Sequence, residues 1–374
     1  MTPPMGTEPS APHRLLLTTD TVGGVWTYTM ELATALGQEG VDVIVASLGD
    51  VPSGQQRDDA ERRGLALHTR RCRLPWMADP WDDMAAAGRW LTSLADEVEP
   101  DVVHLSEPVL ASLPWTVPTI AVGHSCVLSW WESVLGQPAP PAWERYRDAM
   151  RAGLAAADAV VAPSRAMLGN LKRYYGAPDG RAIPNGLDPT GFQAGIKHGF
   201  VLTAGRLWDR AKNAEALDRA APGLAWPAFA AGPRESPGRS EAAAFDNLKL
   251  LGPLPPHELA TWMARAAVFA SPARYEPFGL SVLEAALAGC ALVLGDIPSL
   301  REHWDGVAVF VPPDDVRMLN VALNSLIEDA QLRQTLSMRA RRRALGFSAR
   351  RMALAYLELY AALLGEREAT ACAS

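Results

Sequence analysis

Lysine is nearly missing from this chain. Only four of its 35 Lys and Arg residues are lysines, Lys172, Lys197, Lys212 and Lys249, so a lysine inside a motif stands out. Cysteine is scarce as well. Cys72, Cys126, Cys290 and Cys372 lie far apart with no C-x-x-C pair, which removes the zinc-ribbon and dithiol readings and leaves the reduced thiols of a cytoplasmic protein. Basic residues are outnumbered, 42 acids to 35 bases for a net charge of −7. No global positive field exists to draw nucleic acid or an anionic membrane, and nucleic acid is not an expected partner. Long apolar runs are absent too: the longest, from Gly279 to Leu294, is broken by Ser281 and Glu284. The first 13 residues, MTPPMGTEPSAPH, carry no apolar signal core, so neither an export signal nor a membrane span is expected. Two motifs are also missing. There is no D-x-D to seat a divalent metal, and TVGGVW is not the G-x-G-x-x-G of a dinucleotide site.

What is present is enough for sizeable cores: 374 residues, 48% of them hydrophobic, a length typical of two domains. Short aliphatic runs alternate with helical patterns, the signature of βα units on a parallel sheet, so the fold class is α/β. Strands are expected at 14–19, 41–48, 65–69, 101–106, 118–123, 158–163 and 180–184, with helices near 25–38, 83–98, 142–156 and 164–175. After the Gly-rich PTGFQAGIKHG the alternation restarts at 199–205, 225–232, 247–252, 266–272, 290–295 and 307–312. Helices at 212–221, 256–265, 281–289 and 314–328 separate these strands, and two more at 331–345 and 349–364 close the chain. The expected organisation is a disordered tail over 1–13 and a first Rossmann-like domain over 14–193. A second Rossmann-like domain follows over 194–347, and a helix within 348–374 packs back on the first domain. Two facing doubly wound domains would put the carboxyl ends of their strands on one interdomain cleft, so functional residues should follow strands.

The most informative stretch is ARYEPFGLSVLEAALAGCALVLGD, 273–296. Glu276 follows a strand, Pro277, Phe278 and Gly279 form a loop, and a helix begins near Ser281. The amides of Gly279 and Leu280, with a helix N-terminus behind them, would suit a phosphate. Ser281 and Glu284 have the spacing of a capping box, a purely structural alternative for Glu284. Two carboxylates eight residues apart across a phosphate-directed loop could instead grip hydroxyl pairs, Glu276 on a hexose and Glu284 on a ribose. Arg206 and Lys212 follow the first strand of the second domain and could stabilise a leaving diphosphate without a metal; a surface Arg206 paired with Asp209 is the plain alternative. In the first domain, Gly23 and Gly24 follow a strand and form either a simple turn or a close backbone approach to ligand. His124 follows another strand and precedes SCVLSWWESV, where Trp130 and Trp131 could stack on a sugar or pack in the core. Asn185 and Asp188 read as turn formers. The arginine-rich patches, Arg62 with Arg63, Arg70 with Arg71, and Arg339 with Arg341 to Arg343, read as solvated faces.

EPFGLSVLEA resembles the E-x7-E motif of retaining GT-B glycosyltransferases of family 4. Further pieces resemble that family in the same order: TDTVGGVWTYTMELATALGQEGVDVIV (19–45), VGHSC (122–126), VAPSRAM (161–167), IPNGLD (183–188) and AGRLWDRAKN (204–213). The resemblance spans roughly 14–364 and implies the GT-B fold, two doubly wound Rossmann-like domains facing a cleft. It further implies transfer of a hexose from a nucleotide diphosphate sugar to an acceptor, a saccharide or small molecule, with retention of configuration. No metal or other cofactor is called for; the nucleotide sugar is a co-substrate. Under the resemblance Glu276 and His124 are the catalytic residues, while Arg206, Lys212, Glu284, Phe278, Gly279, Leu280, Ser281 and Gly24 bind the donor. Peripheral membrane contact, common in the family, stays open. The alternatives are another GT-B enzyme, a sugar phosphorylase or nucleotide-sugar epimerase, or a non-catalytic nucleotide-sugar-binding subunit. The phosphorylase would need a lysine for pyridoxal phosphate, and no lysine is a convincing candidate.

Overall fold

The structure is a computed structural model that describes residues 11–236 and 242–373. Most of the tail expected over 1–13 therefore lies outside the described residues. The chain divides into two compact units. One comprises residues up to Val127, Pro140–Gly186 and the segment from Ala349 onward; the other comprises Leu128–Ala139 and Leu187–Ser348.

The first unit contains β1 (Arg14–Asp20), α1 (Gly24–Gln38), β2 (Asp42–Gly49), α2 (Gly54–Arg62), β3 (Ala66–Arg71), α3 (Trp81–Val98), β4 (Val102–Leu105) and β5 (Thr119–Val122). After α4 (Val127–Leu135), which departs for the second unit, come α5 (Glu144–Ala156), β6 (Ala159–Ala162), α6 (Arg165–Tyr175) and β7 (Arg181–Ala182). The strands form a parallel sheet in the order β3-β2-β1-β4-β5-β6-β7. This is the doubly wound order, and its direction reverses between β1 and β4. Leu15 and Leu17 of β1 and Val43 and Val45 of β2 pack under α1 with Tyr28, Leu32 and Leu36. The final helix of the chain, α13 (Ala349–Ala373), joins the same core through Met352, Ala353, Tyr356, Tyr360 and Leu363.

The second unit repeats the scheme. It contains β8 (His198–Ala204), α7 (Ala214–Ala220), β9 (Ala228–Ala231), β10 (Lys249–Gly252), α8 (Pro256–Arg265), β11 (Ala266–Ser271), α9 (Leu280–Leu287), β12 (Ala291–Gly295), α10 (Pro298–Trp304), β13 (Val309–Val311), α11 (Val316–Glu328) and α12 (Ala330–Ala344). Its parallel sheet runs β10-β9-β8-β11-β12-β13, reversing between β8 and β11. Strands β11 and β12 are buried along their whole length, as expected for a parallel sheet covered on both faces.

Helix ends follow local chemistry. Ser164 caps α6 by accepting from Met167 N at 3.1 Å, and Gly176 ends that helix at φ 66°. Asp315 and Asp329 cap α11 and α12 in the same way. Three helices lack a readable signal. α2 buries only Ala60, α10 has seven residues, and α4 is short, so none presents an extended apolar stripe.

Two details differ from the sequence expectation. The second unit begins at Leu187 rather than 194, because the Leu187 amide bonds to the Phe347 carbonyl at 3.1 Å and its side chain enters the second core. The segment Leu128–Ala139, expected in the first domain, belongs to the second unit because Val134 packs with Ala211 and Tyr275. No helix among the described residues is long and apolar enough to cross a membrane.

Candidate functional site

In the second unit, three sequence-predicted residues gather at the point where the strand order reverses. Arg206 lies two residues beyond β8 and Glu276 five beyond β11, and these are neighbouring strands. The loop after β8 turns back so that the Lys212 ammonium donates to Glu276 Oε2. Glu276 is buried, and its carbonyl accepts from the Ser299 hydroxyl at the start of α10. The loops interlock by backbone as well, the Arg274 amide reaching the Ala211 carbonyl at 2.9 Å. The ends of β8 and β9 approach closely: a Cβ on Gly232, just after β9, would lie 1.8 Å from the Gly205 carbonyl oxygen, at a φ of 135°, so only glycine fits.

Arg206 and Lys212 differ in what they leave available. One Nη2–H of Arg206 bonds to Asp209 Oδ2 at 2.9 Å, and its buried Nε has no partner among the described residues. A buried cationic donor without an acceptor is uncommon, and such a group can donate to an anion. An ammonium has three donors, so after one serves Glu276 two remain. Burial by itself would raise the Asp209 carboxyl. The charge and hydrogen bond of Arg206, the Ala211 amide and the Lys212 charge outweigh it and hold Asp209 below the usual carboxylate range. Four alternating charges thus form one cluster.

The glycine loop corrects part of the sequence reading. The cap of α9 is Gly279, at φ 94°, with no side-chain cap bond. Ser281 lies inside the first turn, so Ser281 and Glu284 do not make the expected capping box. A Cβ on Gly279 would meet Val282 at 3.2 Å and Glu276 Cγ at 3.4 Å in a left-handed backbone, which explains the glycine. The first-turn amides of Leu280 and Ser281 have no acceptor within the helix by construction, and Glu284 lies one turn along from Leu280 on the same face. Phe278 differs from expectation. Its ring is buried against His303 and Phe347, at centroid distances of 4.9 and 5.8 Å, leaving only its backbone for a ligand. Trp130 is also redirected: its indole N–H donates to Asp209 Oδ1 at 3.3 Å.

In the first unit, Gly23 takes the left-handed turn at φ 71° and Gly24 opens α1, whose cap carries no side-chain bond. His124 lies two residues beyond β5. The Ser106 hydroxyl donates to the Thr18 carbonyl at 2.8 Å, so at 3.3 Å the His124 Nε2–H is the donor to Ser106 Oγ; Nδ1 then carries the lone pair. The Tyr28 ring meets His124 edge-on at 4.5 Å. Burial lowers the pKa of this ring, keeping it neutral at pH 7. Tyr28 belongs to a buried chain: the Tyr360 hydroxyl donates to His104 Nδ1 at 2.7 Å, His104 Nε2–H to Tyr28 at 3.0 Å, and Tyr28 to Tyr356 at 2.7 Å.

Sequence reasoning missed Asp20 and Glu107. Asp20 ends β1 and Glu107 lies two residues beyond β4, its neighbour at the reversal point of the first sheet. Burial, then the Asp20 charge, pushes Glu107 well above the ordinary carboxylate range. The only available signal was an acid just after the strand in VVHLSEP.

Comparison with known proteins gives this arrangement a context. Residues 22–190 match the family model Glycosyltransferase Family 4, and residues 199–329 match Glycosyl transferases group 1. The chain is a family 4 glycosyltransferase. This glycosyltransferase is 26% identical over 392 aligned residues to a glycogen synthase of Mycobacterium tuberculosis, covering 93% of each chain. A D-inositol 3-phosphate glycosyltransferase of Kineococcus radiotolerans is 31% identical over 134 residues, 33% of this chain and 31% of that one. Among solved structures, sucrose-phosphate synthase from Thermosynechococcus elongatus superposes with a TM-score of 0.78 at 20% identity, covering 95% of this chain and all of that one. HepE from Anabaena, solved in complex with UDP-glucose, gives 0.73 at 17% identity over 94% of this chain and 100% of its own. These likenesses establish the GT-B fold for the glycosyltransferase.

Proposed function

We propose that this glycosyltransferase moves a hexose from a nucleotide diphosphate sugar to a saccharide or small-molecule acceptor, with retention of configuration and without a metal. The observation that carries the reading is the Arg206–Asp209–Lys212–Glu276 cluster at the strand reversal of the second unit. Arg206, through its unpartnered Nε, and Lys212, through its two spare donors, hold the diphosphate together with the amides of Gly279, Leu280 and Ser281. Glu284 accepts from the ribose hydroxyls. Glu276 keeps one oxygen on Lys212 and offers the other to the hexose, and the Nδ1 lone pair of His124 accepts from a substrate hydroxyl. The negative charge that develops on the leaving diphosphate meets two fixed cations, which supplies what a metal otherwise would.

No side chain is assigned as a nucleophile. The acceptor attacks from the face the diphosphate leaves, its proton passing to the departing phosphate oxygen, so that the enzyme contributes positioning and charge stabilisation. HepE, solved with UDP-glucose, makes that donor the first to test, in an enzyme expected to draw on a cytoplasmic pool. Release of nucleoside diphosphate from UDP-, GDP- and ADP-hexoses, with glucose and short glucans as trial acceptors, should single out one base and persist in excess EDTA. Activity that requires added manganese or magnesium would overturn the metal-free reading. Inverted product stereochemistry by NMR would overturn retention.

A further inference from the structure

The segment carrying Trp130 and Trp131 was expected either to stack on a sugar or to pack in a core. From Leu128 to Ala139 it belongs to the second unit, and its contacts there converge on the residues beside the charge cluster. The Trp130 indole N–H donates to Asp209 Oδ1 at 3.3 Å, and the Ser129 hydroxyl donates to the Tyr275 hydroxyl at 3.4 Å. Val134, flanked by Trp130 and Leu135, packs on Ala211 and Tyr275. Asp209 holds Arg206, Ala211 directly precedes Lys212, and Tyr275 directly precedes Glu276. A single short helix thus touches the neighbour or partner of every charged member of the cluster.

We propose that α4 is a strut for the diphosphate clamp, with Trp130 a positioning residue that fixes Asp209 and, through it, Arg206. The role rests on the donor-site reading above. The carboxylate of Asp209 is divided between two tasks. Its Oδ1 accepts from the Ala211 amide at 3.0 Å and from the indole, and its Oδ2 accepts from the guanidinium. Rotation of an aspartate about its last torsion is broad unless hydrogen bonds fix it. Two uncharged donors on Oδ1 set the plane of the group and hold Oδ2 where Arg206 Nη2 meets it, while Arg206 Nε has no partner among the described residues. Without the indole, ordering of the carboxylate and the guanidinium is deferred until the ligand arrives and weakens its binding. The effect therefore falls on diphosphate affinity and passes through Arg206.

Titration calorimetry with UDP, GDP and ADP tests this. Trp130→Phe keeps a large ring in the apolar contact and removes only the N–H, and should weaken binding of the preferred diphosphate by about tenfold, the loss expected for a hydrogen bond to a charged group. The same substitution in an Arg206→Ala background should change affinity less than about twofold, because the residue it positions is gone. Asp209→Asn removes the same link without disturbing the tryptophan, and should show the same non-additivity if Trp130→Phe folds poorly. Wild-type affinity in both Trp130→Phe and Asp209→Asn, with Arg206→Ala weakened, would overturn the positioning role and leave the donor site standing. Fully additive losses would do the same, as they would assign Trp130 a general structural part. A wild-type protein that binds none of the three diphosphates would overturn the donor-site reading itself.

Discussion

Lys212 separates a binding from a structural role most cleanly, because among the described residues its side chain hydrogen-bonds to Glu276 alone. Lys212→Ala should lower turnover by about 10²-fold or more, as loss of other preorganised charge-stabilising groups does. Lys212→Arg should rescue only partly, since a planar guanidinium replaces a compact ammonium that must serve a carboxylate and a phosphate at once. The two glutamates divide along another line. Glu276→Gln should depress kcat far more than nucleoside diphosphate affinity, whereas Glu284→Gln should weaken nucleotide binding by about 1–3 kcal/mol through loss of a charged hydrogen bond. Steady-state kinetics beside diphosphate titrations would show the split, and equal effects of the two substitutions would contradict the assignment. These residues were legible because they are chemically conspicuous: one of four lysines, and two carboxylates around a glycine loop. The pairing of Arg206 with Asp209 was legible from their spacing, but the link from Asp209 to Trp130 was not, because a tryptophan among twelve gives no local sign of so distant a partner.

At the scale of elements, the start of α9 shows how little separates a cap from a site. The spacing of Ser281 and Glu284 satisfies a capping box, yet the helix starts earlier, at Gly279, whose left-handed backbone takes the cap position. Gly279→Ala should destabilise the second unit by about 1–2 kcal/mol, the cost of a left-handed non-glycine residue. It should also reduce turnover, because the new Cβ would press on Glu276 Cγ at 3.4 Å. Thermal melting and kinetics together check this, and an unchanged melting curve would mean the loop relaxes into another conformation. The elements themselves were readable where hydrophobic runs were long, as in the fully buried β11 and β12. They were not readable in α2, whose surface-facing sequence has no apolar stripe, nor in α10, which has seven residues.

For the whole molecule, two histidines and one glutamate shift stability with pH in opposite directions. Burial, with His124 adding to it, lowers His104 to about 3, and His124 is lowered by burial too. The unfolded chain takes up these protons below about pH 6.5 while the folded chain refuses them, so each ring removes about 1.4 kcal/mol per pH unit as the solution is acidified. Glu107 acts in reverse. Its pKa is raised, so its penalty appears as pH climbs from about 4.3, where the unfolded side chain ionises, towards the folded value. Glu107→Gln should therefore raise the melting midpoint at pH 7 and steepen the fall towards pH 4, where the advantage disappears. A variant profile parallel to that of the wild type would show that Glu107 ionises normally.

The sequence by itself determined the α/β class and all thirteen strands of the described residues, and it singled out the residues proposed to meet a nucleotide sugar, because parallel strands buried on both faces must be apolar and the turns that follow them must carry the polar chemistry. Tertiary structure decided what those residues touch. That Lys212 meets Glu276, that the Asp20 charge acts on Glu107, that Tyr356 and Tyr360 join one hydrogen-bonded chain through Tyr28 and His104, and that Trp130 of α4 meets Asp209 all join positions from 64 to 328 residues apart. Such pairings arise from strand order and packing, and no local periodicity encodes them.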